Sequence, residues 1–247
     1  MSGPSASPRI DDLLKAATDW FTYERSLREH NRYVPADAGY FQNLFNDCLK
    51  CRFTIPRGTE LFRARILPVE MVTRTEPLPL KEMGMPPASL TPDGRVNPAG
   101  VRCFYAAMER DTAPAELRPW PEAKVTIATF FTTADLNVLD LRTTNPVVKA
   151  SMALSWASTE ISRPVHRDDR FGYLGTQYLA ERLKAAGAEG LLYDSKLSRG
   201  GTNVALFSDK ALVPKDASLV MVTAVSYSTR PVIPIAELLK SITKPSK

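Results

Sequence analysis

The chain has 247 residues, 44% of them hydrophobic and 24% charged, with a formal net charge of +5 and 20 prolines against 12 glycines. That length and apolar content suffice to bury a core in one large domain or two small ones, and they exclude disorder, collagen-like repeats and a coiled coil. Apolar runs such as 219–222 fall far short of the roughly 20 residues that a membrane span needs, and the mild positive balance suits an anionic small molecule better than nucleic acid.

Residues 1–9 read as a Ser/Pro-rich tail without the apolar region of a signal peptide. Behind Pro8 a helical pattern runs through Ile10, Leu13, Leu14, Ala17, Phe21 and Leu27, with charged residues on the other face. A second helix is expected over 38–50, where Tyr40, Phe41, Leu44, Phe45, Cys48 and Leu49 share one stripe. Cys48 and Cys51 form a CxxC, but a structural zinc needs four ligands. Only His30, His166 and Cys103 remain as soft donors, with no second pair at ligand spacing, so the cysteines read as small hydrophobes. Three cysteines also make an odd count, which argues against a disulfide framework and for a reducing, cytoplasmic setting.

The pattern then changes. Over 60–67 it alternates, with Leu61, Arg63, Arg65 and Leu67 on one face of a strand and Phe62, Ala64 and Ile66 on the other. Arginines among leucines are costly unless paired or liganded, so this strand should border a polar cleft. Residues 68–100 include Pro77, Pro79, Pro86, Pro87, Pro92 and Pro98, which suggests a functional loop stiffened into one wall of that cleft. Next come a strand over 101–107 and a helix opening near Asp111 or Thr112, with Pro114 in its first turn and Glu116 just inside. Strands at 125–131 and 136–141, a helix over 145–161 and a charged loop at 162–172 lead to a helix over 173–187 that Gly187 stops. Short strands at 190–193, 203–207 and 218–226 follow, then a brief helix over 235–242. There is no internal repeat and no strict β-α-β alternation, so the fold class is α+β.

No Walker loop, GxGxxG, HExxH, GxSxG or EF-hand pattern is present, and neither histidine has a recognisable catalytic partner. What remains are polar residues on apolar strands or at their ends: Arg63, Arg95, Tyr105, Glu116, Ser195 and Asn203. Arginines offer fixed forks for phosphate or carboxylate, and a glutamate beside them supports positive charge in an oxocarbenium-like transition state. Such a set suits cutting a glycosidic bond in an anionic nucleotide. Plainer readings stand beside it. Arg63 and Glu116 form a buried ion pair that holds the fold, Ser195 and Asn203 are turn residues, and Tyr105 is ordinary core. Arg65 and Arg102 read as solvated or structural, and Asp194 would repel a phosphate if it faced the site.

The ordered series Leu61-Phe62-Arg63-Ala64-Arg65, Met83-Gly84-Met85-Pro86-Pro87, Gly94-Arg95-Val96-Asn97-Pro98-Ala99-Gly100-Val101, Phe104-Tyr105-Ala106-Ala107, Thr112-Ala113-Pro114-Ala115-Glu116, Leu139-Asp140-Leu141, Tyr193-Asp194-Ser195 and Asn203-Val204-Ala205-Leu206-Phe207 resembles the RES domain family. That family is named for its arginine, glutamate and serine. The resemblance covers about residues 58–210. It implies a fold related to ADP-ribosyltransferase toxins, with a split mixed β-sheet and flanking helices, and NAD+ as substrate, with no other cofactor and no metal. Well-known members are toxins of toxin–antitoxin pairs, neutralised by a helical, Xre-like antitoxin. They cleave the nicotinamide–ribose bond, in some cases with inorganic phosphate as acceptor, and other members are ADP-ribosyltransferases acting on protein.

Carried over by position, the resemblance implies catalytic roles for Arg63, Tyr105, Glu116 and Ser195 and substrate binding by Arg95 and Asn203. Arg63 and Arg95 would grip the pyrophosphate or the attacking phosphate, and Tyr105 would pack on the nicotinamide or its ribose. Glu116 would hydrogen-bond the ribose hydroxyls and stabilise the cation, while Ser195 and Asn203 would orient ribose or phosphate oxygens. The domain organisation then expected is a tail and helical extension over 1–54, a catalytic domain over 55–228 and a tail over 229–247. NAD+ phosphorylase action leads. A glycohydrolase, a protein ADP-ribosyltransferase and a non-catalytic nucleotide- or partner-binding module are the alternatives.

Overall fold

A computed structural model describes residues 10–36, 38–166, 169, 171–229 and 231–232, so the helix expected over 235–242 lies outside the described residues. Eight strands form one mostly antiparallel sheet in the order β1-β5-β6-β7-β3-β2-β4-β8, an α+β fold with helices on one face. The strands are β1 (Arg52–Ile55), β2 (Glu60–Ile66), β3 (Phe104–Ala107), β4 (Lys124–Thr132), β5 (Leu136–Asp140), β6 (Gly190–Asp194), β7 (Thr202–Leu206) and β8 (Leu212–Met221). Only β5 and β6 run parallel. Strands β2 and β4 pair over seven residues, but β2 and β3 meet at a single pair, Phe62 with Ala107. The sheet is therefore split into a five-strand leaf and a three-strand leaf. The cleft opens where the leaves diverge.

Six helical segments accompany the sheet: α1 (Ile10–Glu29), α2 (Ala38–Leu49), α3 (Thr112–Ala115), α4 (Pro146–Ala150), α5 (Met152–Ser162) and α6 (Leu174–Ala185). The expected helix over 145–161 is two, because Ser151 leaves helical backbone and its Oγ accepts the Leu154 amide at 3.3 Å, capping α5. The helix expected from Thr112 is the single turn α3, with Glu116 at its C-terminal end rather than inside it. Strand β8 starts six residues earlier than expected and carries Pro214; an edge position beside a register shift at Thr129/Phe130 accommodates the missing amide hydrogen. No helix among the described residues is long and apolar enough to cross a membrane.

Helix α1 turns a different face inward from the one expected. Leu13, Leu14 and Phe21 are exposed, whereas Ala16, Trp20, Tyr23 and Leu27 are buried. Both sets have helical spacing, but the second carries the larger rings and a polar anchor: Tyr23 Oη donates to the Gly175 carbonyl at 2.8 Å. A Cβ on Gly175 would come within 3.1 Å of the Trp20 ring, so α6 approaches closely only because that residue is glycine. Trp20, Tyr23, Leu44 and Cys48 join Leu139, Leu141, Leu191 and Ala205 in one core, so the N-terminal helices and the five-strand leaf share their hydrophobic interior.

The opposite face has its own core, in which Leu61, Phe104, Phe130, Val204 and Leu206 are covered by Leu78 and Met83 from the proline-rich segment. That segment forms three short 3-10 turns, each opened by a proline (Pro68, Pro79 and Pro87). Arg65 Nη2 pins it by donating to the Gly84 carbonyl at 3.0 Å, and Arg102 Nε does so to the Pro86 carbonyl at 2.9 Å. Both arginines are structural, as the sequence suggested. Most of the loop serves as a lid on the second core, and only 93–95 reach the cleft.

Cys48, Cys51 and Cys103 are free and buried. Burial pushes the Cys51 thiol up to about 11 and the Cys103 thiol up to about 12, and it raises Cys48 as well. Raised values keep these groups as thiols through neutral pH, so none is a nucleophile. Maleimide labelling of the native protein at mildly alkaline pH is expected to leave all three unmodified; labelling at the rate of a free thiol would contradict this.

Candidate active site

The cleft between the leaves has a volume of about 320 Å³, near the lower end of small-molecule sites. Arg63, Arg95, Tyr105, Glu116 and Asn203, all singled out from the sequence, line it together with Tyr173 and Tyr193. Ser195 lies behind Glu116 rather than on the wall.

Glu116 is held from below. Its Oε1 accepts the Ser195 hydroxyl at 2.6 Å and the Asn203 Nδ2 amide at 2.8 Å. The Ser195 oxygen in turn accepts the amides of Leu197 and Ser198 at 3.1 and 2.9 Å. Its donor and both acceptor positions are filled, so Ser195 positions Glu116 and has nothing left for ribose or phosphate oxygens. Asn203 acts the same way on the same oxygen, from β7. The second carboxylate oxygen, Oε2, faces Arg95 Nη2 at 4.0 Å.

That contact replaces the pairing of Arg63 with Glu116. Arg63 enters from the other leaf, where its Nη1 donates to the Tyr105 carbonyl at 2.6 Å and its guanidinium lies 4.9 Å from the Phe104 ring centre. Its buried Nε has no partner. Burial, reinforced by the like charge of Arg65, pulls its pKa down to about 10, so the group stays charged at neutral pH but poorly compensated. A cation so placed invites an anion.

The two arginines are therefore not equivalent. Arg95 Nη1 donates to the carbonyls of Ile161, at 3.1 Å, and Arg163, at the end of α5. Its guanidinium lies 5.7 and 5.9 Å from the Tyr173 and Tyr193 ring centres. Helix α6 fixes the turn that carries it: Thr176 Oγ1 donates to the Arg95 carbonyl at 2.5 Å, and Gln177 Nε2 to those of Gly94 and Asn97 at 2.8 and 3.1 Å. Tyr105 Oη donates to Asn97 Oδ1 at 2.7 Å and accepts the Val96 amide at 3.1 Å. Burial holds that phenol well above its ordinary pKa, so it remains a donor and Tyr105 offers the cleft its ring. A Cβ on Gly94 would stand 2.6 Å from both the Tyr105 oxygen and Asn97 Oδ1, which accounts for glycine before Arg95.

Asp194 faces away from the cleft. Its Oδ2 accepts the Thr143 amide at 2.9 Å and hydroxyl at 2.7 Å, so it offers no repulsion to an anion there. Three supporting residues escaped the sequence reading. Glu109 Oε2 accepts the Thr202 amide at 2.7 Å and the Thr112 hydroxyl at 3.1 Å, tying α3 to β7. Tyr173 gives no signal in the chain, while Asn97 stood within a quoted motif as a neighbour of Arg95. Among the described residues no group of three or more His, Cys, Asp or Glu could hold a metal ion.

A family model described as "RES domain" matches residues 72–227. Among solved structures, a chain in the crystal structure of the M. tuberculosis MbcT–MbcA toxin–antitoxin complex is similar at 17% identity and a TM-score of 0.46, over 75% of this chain and 93% of that one. No curated protein matches the chain.

Proposed function

The chain belongs to the RES domain family, and from that premise we propose that it cleaves the nicotinamide–ribose bond of NAD+ and passes ADP-ribose to inorganic phosphate. The observation that carries this reading is the pairing, across one cleft, of a carboxylate held by Ser195 and Asn203 with a buried arginine whose Nε has no hydrogen-bond partner. In the reaction the C1′–N bond breaks and its electron pair leaves with nicotinamide, which becomes neutral. Positive charge moves onto C1′ and the ring oxygen, where the carboxylate of Glu116 stabilises it through Oε2. The phosphate dianion then supplies an oxygen lone pair to C1′, giving nicotinamide and ADP-ribose 1″-phosphate without a general acid. Arg63 holds phosphate oxygens, Arg95 stands across from Glu116 Oε2, and the Tyr105 ring forms a platform for the flat leaving group.

Purified protein incubated with NAD+ and phosphate is expected to release nicotinamide and ADP-ribose 1″-phosphate. Turnover independent of phosphate makes water the acceptor, label on a protein makes the chain a transferase, and NAD+ left intact in every condition overturns the reading. Depletion of NAD+ suits a toxin restrained by an antitoxin, an Xre-like one by family resemblance. Substrate and co-substrate are cytoplasmic metabolites, and the three thiols suit the same compartment.

Ser195→Ala is expected to lower kcat about 10- to 100-fold, the worth of one charge-assisted hydrogen bond, with little change in the KM for phosphate. Steady-state kinetics check it, and an unchanged kcat contradicts the positioning role. Arg63→Met separates stability from function. An uncompensated buried cation destabilises the fold, so the variant should gain about 1 kcal/mol, or about 2–4 °C in Tm, while losing turnover. Calorimetry showing a lower Tm would contradict it.

A further inference from the structure

A groove of about 840 Å³ adjoins the catalytic cleft, and the exposed Asp93 belongs to the walls of both. The continuity extends along the chain on two sides. Arg95 lines the cleft while Pro98 lines the groove, and Tyr173 lines the cleft while Leu174 lines the groove. We propose that this groove binds the adenosine end of the dinucleotide whose nicotinamide end enters the cleft, an inference that rests on the NAD+ reading above.

Size points the same way. A cleft of about 320 Å³ suits one nucleoside and its phosphate, and a dinucleotide has two of each. The groove also has suitable chemistry. Tyr33 is 80% exposed and stands on a turn fixed by its amide, which donates to Asn31 Oδ1 at 2.9 Å. Tyr178 is anchored by edge contacts to Phe41 and Tyr23, with ring centres 5.0 and 6.3 Å away. Flat bases stack on such rings, and two of them face one groove here. Arg32 and Arg182 line the same groove as donors for a phosphate. Asp93, without a hydrogen bond or ion pair among the described residues, accepts from ribose hydroxyls. Arg32 and Tyr33 come from the α1–α2 connection, outside the 72–227 stretch that the family model matches, so the N-terminal extension brings one ring and one guanidinium to this subsite.

ADP lacks the scissile bond and probes the groove without turnover. Titrated by calorimetry into the full chain, it should bind, about tenfold or more weakly to Tyr33→Ala, and normally to Tyr33→Phe, which keeps the ring. In turnover, the preference for NAD+ over nicotinamide mononucleotide, as a ratio of kcat/KM values, should collapse in Tyr33→Ala through KM. Tyr33 is exposed, so the variant keeps its fold. Failure of the chain to bind ADP, or equal ADP affinity in Tyr33→Ala, overturns the subsite even if NAD+ is consumed. The expected ADP results with neither dinucleotide nor mononucleotide consumed uphold the groove and overturn the cleavage reading alone.

Discussion

Glu116→Gln is expected to lower NAD+ turnover by about 100- to 1,000-fold with little change in Tm. Glutamine has the same shape, and its amide oxygen still accepts from the Ser195 hydroxyl and the Asn203 amide. What disappears is the negative charge at Oε2, the carboxylate proposed to face a cation forming at C1′. Ground-state binding should survive, since the proposed grips on NAD+ are other residues, so the loss should fall on kcat. Nicotinamide release measures it directly, with thermal unfolding of the same sample as the control. In cells, the variant should leave NAD+ pools intact at an expression level where the parent chain empties them. Turnover within tenfold of the parent would remove Glu116 from the chemistry.

Trp20→Ala should destabilise the fold by about 3–5 kcal/mol, a large fraction of the 5–15 kcal/mol that domains typically possess. Trp20 is fully buried, its ring packs edge-on to Tyr23 at 5.4 Å, and both belong to the core built on β5, β6 and β7. Truncation there leaves a cavity between α1 and α6 that neither helix can close, because each is fixed by the Tyr23–Gly175 hydrogen bond and by α5. Urea unfolding followed by intrinsic fluorescence gives the number. A loss below about 1 kcal/mol would mean that α1 is an accessory rather than part of the core.

Much of the site was legible because its residues break local rules. Arginines on the buried face of β2 and a glycine directly before Arg95 are conspicuous in a chain read for burial and backbone freedom. The roles were less legible. Arg63 and Arg95 look alike in sequence, and only the structure separates an uncompensated cation from one occupied by the carbonyls ending α5. Ser195 reads as a ligand for substrate until its hydroxyl is seen donating to a carboxylate 79 residues away. The inward face of α1 was hidden for a similar reason. Two stripes have helical spacing, and the choice depends on Gly175, which lies 152 residues from Tyr23.

On the proposed function, the single residue pair joining β2 to β3 makes turnover depend on the alignment of the two leaves. Arg63 rides on one leaf, while Arg95, Tyr105, Ser195 and Asn203 ride on the other. On the proposed reading, displacing one leaf by an ångström or two would separate Arg63 from Glu116 and lower turnover with no change in either residue. The seam between β2 and β3 is where strand pairing across the sheet is thinnest, and the shared core of Leu61, Phe104, Phe130 and Leu206 is what holds the leaves in line there.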